Sequence, residues 1–218
     1  MIITIDGPAA AGKGTLSAKL AKKYNLAYFD TGMIYRAVGL DLILNNIDPE
    51  NDEEALLSAK NMTFSKMMDL SKHVDFRSNL GGQAASKVAA KTPVRQALLK
   101  MQQDFARDPQ FADGSKASGV VYDGRDTGTV VCPNADIKIF ITASAEIRAM
   151  RRHKEFLAKG IDSKYDDVLS QTKERDLRDS SRASAPLKPA KDAIIIDTSD
   201  LSIEDVYDKV CHVIEGKK

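Results

Sequence analysis

The sequence predicts a doubly wound α/β domain, a five-stranded parallel sheet flanked by helices. Two observations carry this. Five short apolar runs, Ile2–Asp6, Leu26–Asp30, Gly119–Asp123, Ile137–Ile141 and Ala193–Asp197, lack the polar/apolar alternation of a half-exposed strand. Each suits a strand buried on both faces, and helical patterns lie between them, as the crossovers of a parallel sheet require.

In chain order, Ile2–Asp6 leads to a helix over Gly14–Tyr24, and Leu26–Asp30 to one over Met33–Asn45. Helical patterns then cover Thr92–Ala106, Ala145–Lys159, Asp166–Ser180 and Ile203–Glu215. The stretch from Asn46 to Lys91 breaks the rhythm with PENDEE, a Met62/Met67/Met68 patch and Asn79-Leu80-Gly81-Gly82. It reads as a small inserted subdomain. Asp179–Pro189 reads as a mobile loop after a charged helix.

Composition narrows the classes. The 218 residues are 43% hydrophobic and 29% charged, which fits a globular chain and not a disordered one. Lys and Arg number 32 against 31 Asp and Glu, net +1, so a generic nucleic-acid coat is not expected. Cys132 and Cys211 have no CxxC spacing, and His73, His153 and His212 are scattered, so neither a disulfide framework nor a zinc site is expected. With no secretion signal and no run of membrane-span length, the expected location is the cytoplasm.

The first chemical signal is Gly7-Pro8-Ala9-Ala10-Ala11-Gly12-Lys13-Gly14-Thr15, the GxxxxGK spacing of a P-loop. Its glycines let backbone N–H groups and a helix N-terminus wrap an anion, and Lys13 reaches the β- and γ-phosphates. The alternative is a glycine-rich turn with an incidental lysine. Gly14 stands where a P-loop usually has Ser or Thr, so Thr15 is only a provisional contact for Mg²⁺.

Six of the eleven arginines fall between positions 148 and 182. Arg148 and Arg152 are four apart, a spacing at which like charges repel. Arg175, Arg178, Asp179 and Arg182 share one face if their helix continues. Guanidinium groups suit bidentate phosphate contact, and a closable lid hinged at Gly160 and Ser180-Ser181 would bring them to a transferring phosphoryl group. A solvated face neutralised by Glu146, Glu155, Glu174 and Asp176 is the competing reading.

Two further motifs follow strands, where a parallel sheet faces its ligand crevice. Asp30-Thr31-Gly32-Met33-Ile34-Tyr35-Arg36 offers Thr31, equally suited to a helix N-cap, and Arg36 for a second phosphate. Asp123-Gly124-Arg125-Asp126-Thr127-Gly128 sets a donor beside an acceptor, or forms a surface turn with its own ion pair. A nucleotide-gated switch without an acceptor and an RNA-binding protein using these arginines are readings from other classes. The neutral balance of charge weakens the second.

IDGPAAAGKGT, DTGMIYRA, AASKVAAKTPVRQALL, DGRDTGTVVCPNADIKIFITAS and ERDLRDSSRASAPL cover nearly the whole chain in order, and with them it resembles the bacterial cytidylate kinases, nucleoside-monophosphate kinases of the P-loop class. The resemblance implies a single P-loop kinase domain over 1–218, with a core of about 1–45, 92–148 and 183–218. An NMP-binding insertion would span about 46–91, and an arginine-rich lid about 149–182. It implies transfer of the γ-phosphoryl of ATP to CMP or dCMP with Mg²⁺, in pyrimidine nucleotide metabolism.

By the same resemblance Ser86, Arg95 and Asp126 meet the cytosine base with Arg182 close by, and Arg36 and Arg125 hold the acceptor phosphate. Thr31, Arg175 and Asp179 face the ribose, and Lys13, Arg125 and Arg152 serve catalysis. Asp126 would accept from the cytosine N4 amine and repel the uracil O4. No permanent protein metal site is expected, although Asp30 or Asp123 would hold Mg²⁺ through water. The partners expected are CMP and dCMP, with no nucleic acid and no membrane, and the chain is expected to be a monomer. Thr31 stands where relatives often have serine, and the segment from Thr63 to Gly82 is shorter than in some relatives, which leaves the role of Arg77 open.

Overall fold

The computed structural model describes residues 1–216. Five strands, β1 (Ile2–Asp6), β2 (Ala27–Asp30), β3 (Val120–Gly124), β4 (Ile137–Thr142) and β5 (Ile194–Asp197), form one parallel sheet in the order β2-β3-β1-β4-β5. Each lies within one residue of its apolar run. Central β1 pairs with β3 in the register Ile2↔Val120 to Asp6↔Gly124, and with β4 from Ile3↔Ile137 to Asp6↔Phe140.

Nine α-helices lie among the described residues: α1 (Lys13–Tyr24), α2 (Gly32–Leu44), α3 (Asp52–Lys60), α4 (Phe64–Leu70), α5 (Asn79–Ala89), α6 (Thr92–Arg107), α7 (Ala145–Ala158), α8 (Tyr165–Ser180) and α9 (Ile203–Glu215). The chain divides into two compact units, Met1–Phe29 with Pro109–Lys218, and Asp30–Asp108. In the first, α1 and α9 cover one face of the sheet. Leu16 and Leu20 of α1, Val210 and Ile214 of α9, and Ile3, Ile5, Ile139 and Ile141 form its core. Phe29 and Tyr122 meet in a tilted ring contact with centroids 5.4 Å apart.

The second unit is helical. Helix α2 buries Ile34, Tyr35, Ala37, Val38, Leu40 and Leu42, so it is apolar nearly all round and forms the unit's centre. The sequence marked 46–91 as a small inserted subdomain or cover without assigning its elements. It holds α3, α4, a 3₁₀ turn (Val74–Arg77) and α5. Each starts on a side-chain cap: Asn51 accepts from Glu54 N, Thr63 from Lys66 N, His73 from Asp75 N and Ser78 from Gly81 N. The Asn79-Leu80-Gly81-Gly82 run opens α5, and Ser78 caps it.

Candidate active site

The phosphate cradle joins the end of β1 to α1. Gly7 has φ +152°, and a Cβ there would sit 2.0 Å from the Ile141 carbonyl oxygen on β4. Only glycine fits that approach. Ala10 at φ +60° and Gly12 at φ +90° turn the loop back onto the helix. Helix α1 begins at Lys13 with no acidic residue in its first turn, which leaves its N-terminal N–H groups and dipole available to an anion.

Gly7, Pro8, Ala9, Ala10, Ala11, Gly12, Lys13, Gly14 and Thr15 thus form one continuous strand-to-helix loop. The buried Lys13 Nζ donates to the Pro8 carbonyl at 2.9 Å and lies 3.7 Å from Asp123 Oδ1. Tyr28 Oη donates to Asp123 Oδ2 at 3.5 Å. Arg148, expected beside Arg152 on an arginine face, instead braces this loop. It is buried, donates to the carbonyls of Ala9 at 3.2 Å and Ala143 at 2.8 Å, and is paired with Asp176 of α8.

Beyond β3, Arg125 and Asp126 lead into a single π-helical turn, Thr127–Val131, whose amides from Thr129 to Val131 donate to the Asp126 carbonyl. Asp6, the last residue of β1, accepts from Thr127 N at 2.8 Å, Thr127 Oγ1 at 2.8 Å and Gly128 N at 2.7 Å. Burial pushes the Asp6 carboxyl up, its three donors oppose that, and the nearby Asp126 charge raises it further. Burial also pushes the Cys132 thiol up to about 11, so it is inert at neutral pH.

Asp179 gathers arginines. Arg125 Nε donates to its Oδ2 at 3.1 Å, Arg182 pairs with Oδ1, and Arg175 Nε lies 3.9 Å from Oδ2. Burial raises this carboxyl, but the charges of Arg125, Arg182 and Arg175 outweigh it and hold Asp179 below its ordinary range. Helix α8 ends at Ser180, so the condition for one shared face is not met at Arg182, which lies beyond the helix and reaches Asp179 from the following turn. Arg152 on α7 lies over the Phe156 ring, 5.1 Å from its centroid, and burial lowers its guanidinium from the ordinary range. Of the acids expected to neutralise this face, Glu146 pairs with Lys173, Glu155 with Lys159, and Asp176 with Arg148.

In the second unit, Arg36 donates to the Phe76 carbonyl at 2.9 Å. The buried Arg95 donates to the Ala89 carbonyl at 3.2 Å and sits over the Tyr35 ring, 5.2 Å from its centroid. Ser86 is buried on α5. Thr31 is the N-cap residue of α2 but makes no side-chain cap bond. Asp30 Oδ1 accepts from Gly32 N instead, at 2.9 Å. Lys13, Arg125, Asp126, Arg152, Arg175, Asp179 and Arg182 belong to the sheet unit, and Thr31, Arg36, Ser86 and Arg95 to the helical one.

Sequence reasoning did not select Asp6 or Tyr35, and it placed Arg148 in the arginine cluster without its bracing role. An aspartate ending the strand before the cradle was the available signal for Asp6. Arg148 acts through bonds to Ala9, Ala143 and Asp176, and Tyr35 lies under the Arg95 guanidinium; neither leaves a spacing signature.

Against known proteins, the family model described as cytidylate kinase matches residues 3–216. The cytidylate kinase of Rhodospirillum rubrum is 46% identical over 217 residues, covering 100% of this chain and 98% of that protein. That of Paramagnetospirillum magneticum is 48% identical, covering 100% and 99%. A shikimate kinase from Bacteroides thetaiotaomicron superposes with a TM-score of 0.51 at 14% identity, over 99% of this chain and 98% of that one, a likeness of fold. No helix among the described residues is long and apolar enough to cross a membrane.

Proposed function

The chain belongs to the cytidylate kinase family, and from that premise we propose how its residues share the work. The enzyme transfers the γ-phosphoryl group of ATP to CMP or dCMP, giving ADP and CDP or dCDP. The family match over residues 3–216 carries this conclusion. The acceptor is itself an anionic phosphate oxygen, so no strong general base is needed. Catalysis consists of aligning two anions and neutralising the charge between them.

The cradle Gly7–Thr15 wraps the ATP phosphates with its N–H groups, and Lys13 exchanges the Pro8 carbonyl for a phosphate oxygen. Arg125 and Arg36 hold the acceptor phosphate, and Arg152 neutralises charge on the transferring group from a lid over about 149–182. Ser86, Arg95 and Asp126 read the base with Arg182 beside them, and Thr31, Arg175 and Asp179 serve the ribose. Asp30–Asp108 is the NMP-binding unit, wider than the insertion over 46–91 that the sequence marked. The chain works as a cytoplasmic monomer.

Mg²⁺ prefers hard oxygen donors and keeps most of its waters. Asp123, whose carboxylate faces Lys13 and lies 3.4 Å from the position of a Cβ at Gly14, fits that preference. Thr15 in the first turn of α1 adds a hydroxyl. Held there with ATP, such an ion would supply charge neutralisation to the phosphates.

A coupled ADP-release assay across CMP, dCMP, UMP, AMP and shikimate tests the reading. CMP and dCMP should give the highest kcat/KM. No turnover of CMP alongside turnover of another acceptor would overturn it.

A further inference from the structure

Asp6 is buried and used by nothing in the mechanism above. It is the residue before Gly7, the first of the phosphate cradle, and it ends the strand that pairs with β3 at Asp6↔Gly124. Its carboxylate reaches sideways to the next loop. Oδ1 accepts from both the amide and the hydroxyl of Thr127, and Oδ2 accepts from the Gly128 amide. Both oxygens are therefore taken by donors of a turn that begins one residue after Asp126. Gly128 permits this approach, because a Cβ there would lie 2.8 Å from Thr4 Oγ1.

We propose that Asp6 is a positioning residue that fixes Arg125 and Asp126 for the acceptor nucleotide relative to the ATP cradle. This rests on the (d)CMP kinase reading. The asymmetry of the contacts decides what its loss would do. The cradle has independent supports: Gly7 is wedged against the Ile141 carbonyl, Ala9 is held by Arg148, and Lys13 is tied to Pro8. The turn after Asp126 takes three of its anchoring bonds from Asp6. Losing Asp6 frees the acceptor loop and leaves the donor loop in place.

The test is Asp6→Asn, whose amide nitrogen must face one of three donors. Displacement of reacting groups by about 1 Å costs on the order of 100-fold. The variant should therefore lose about that factor in kcat/KM for CMP, mainly through a higher KM for CMP, with the KM for ATP within about twofold of wild type. Its preference for CMP over UMP should fall with it. Thr127→Val, which removes one of the three bonds, should shift the KM for CMP the same way but less, and Thr127→Ser should restore it. Thr127→Val also keeps the test decisive if Asp6→Asn does not fold. A purely structural role would lower kcat by the loss of folded enzyme and leave both KM values and the CMP-to-UMP ratio unchanged. That result overturns the proposal. Wild-type enzyme inactive on CMP would instead sink the functional reading itself.

Discussion

Arg125 and Asp179 stand 54 positions apart in the chain, yet Arg125 Nε donates to Asp179 Oδ2 at 3.1 Å. The same carboxylate meets Arg175 and Arg182, so one aspartate sets the spacing of three guanidinium groups. Each of these arginines has a proposed part in holding CMP, which makes Asp179 their common organiser.

Asp179→Asn should therefore be costly twice. Removing one partner of a buried ion pair typically costs about 3–5 kcal/mol, and here it leaves three cations facing one another. Urea denaturation should show a loss of that order, and the KM for CMP should rise more than that for ATP. A variant with wild-type stability would show that the arginines do not depend on Asp179.

The same group has a signature in pH. Asp179 titrates below its ordinary value of 3.8, so the unfolded chain binds the proton more readily. Its stabilisation is complete above that value and disappears as pH falls through the folded one. Asp6, raised by burial, has the opposite sign: its contribution is present below 3.8 and fades as pH rises through its folded value. Stability measured between about pH 2 and 5 should rise less steeply in Asp179→Asn than in wild type, by at most about 1.4 kcal/mol per pH unit. Asp6→Asn should make the rise steeper.

Gly7 and Gly12 separate two kinds of glycine requirement. Gly7→Ala would drive a methyl to 2.0 Å from the Ile141 carbonyl, an overlap that has to displace β4. A destabilisation of at least about 4 kcal/mol is expected, visible as loss of folded protein in urea titrations. At Gly12 nothing lies within 4 Å of an added Cβ, so only the left-handed backbone opposes alanine. Gly12→Ala should fold, at a cost of about 1–2 kcal/mol. Equal stability losses in the two variants would refute the distinction.

Arg148 and Arg152 lie on one helix and should fail differently. Arg148→Ala removes bonds to Asp176, Ala9 and Ala143 from a buried site and should lower the melting temperature. Arg152→Ala should leave the melting temperature nearly unchanged and lower kcat by about 10³-fold or more, the scale of an arginine that neutralises a transferring phosphoryl group. Calorimetric ATP binding should weaken far less than turnover. Unchanged kcat would remove Arg152 from the mechanism.

The sheet was legible because its strands are short, mainly apolar runs; β1, β3 and β4 are buried along nearly their whole length, while the edge strands β2 and β5 leave Tyr28 and Ile195 exposed. The cradle was legible because phosphate geometry demands glycines and a lysine at fixed intervals. The helices between 46 and 91 were not, since α3, α4 and α5 are short and polar at their starts. What fixes them is capping by Asn51, Thr63 and Ser78 together with packing around α2. The arginines were legible as a cluster but not as individuals. Arg148 braces a loop through Ala9, 139 positions away, which spacing cannot report, whereas Arg152 lies over Phe156 one turn further along its own helix.

The strand order β2-β3-β1-β4-β5 also bears on how the chain reaches its native state. Strands β1 and β2 come first in the sequence but are not neighbours, because β3 lies between them. Ile2 must wait for Val120, and closing a loop that long costs about 4 kcal/mol in chain entropy before any pairing repays it. The helical unit Asp30–Asp108 is contiguous and local in its contacts, so during synthesis it can form first. Its compaction shortens the span that β1 and β3 have to bridge. The helical unit would then serve the nascent chain as a tether, apart from any part it has in binding the acceptor.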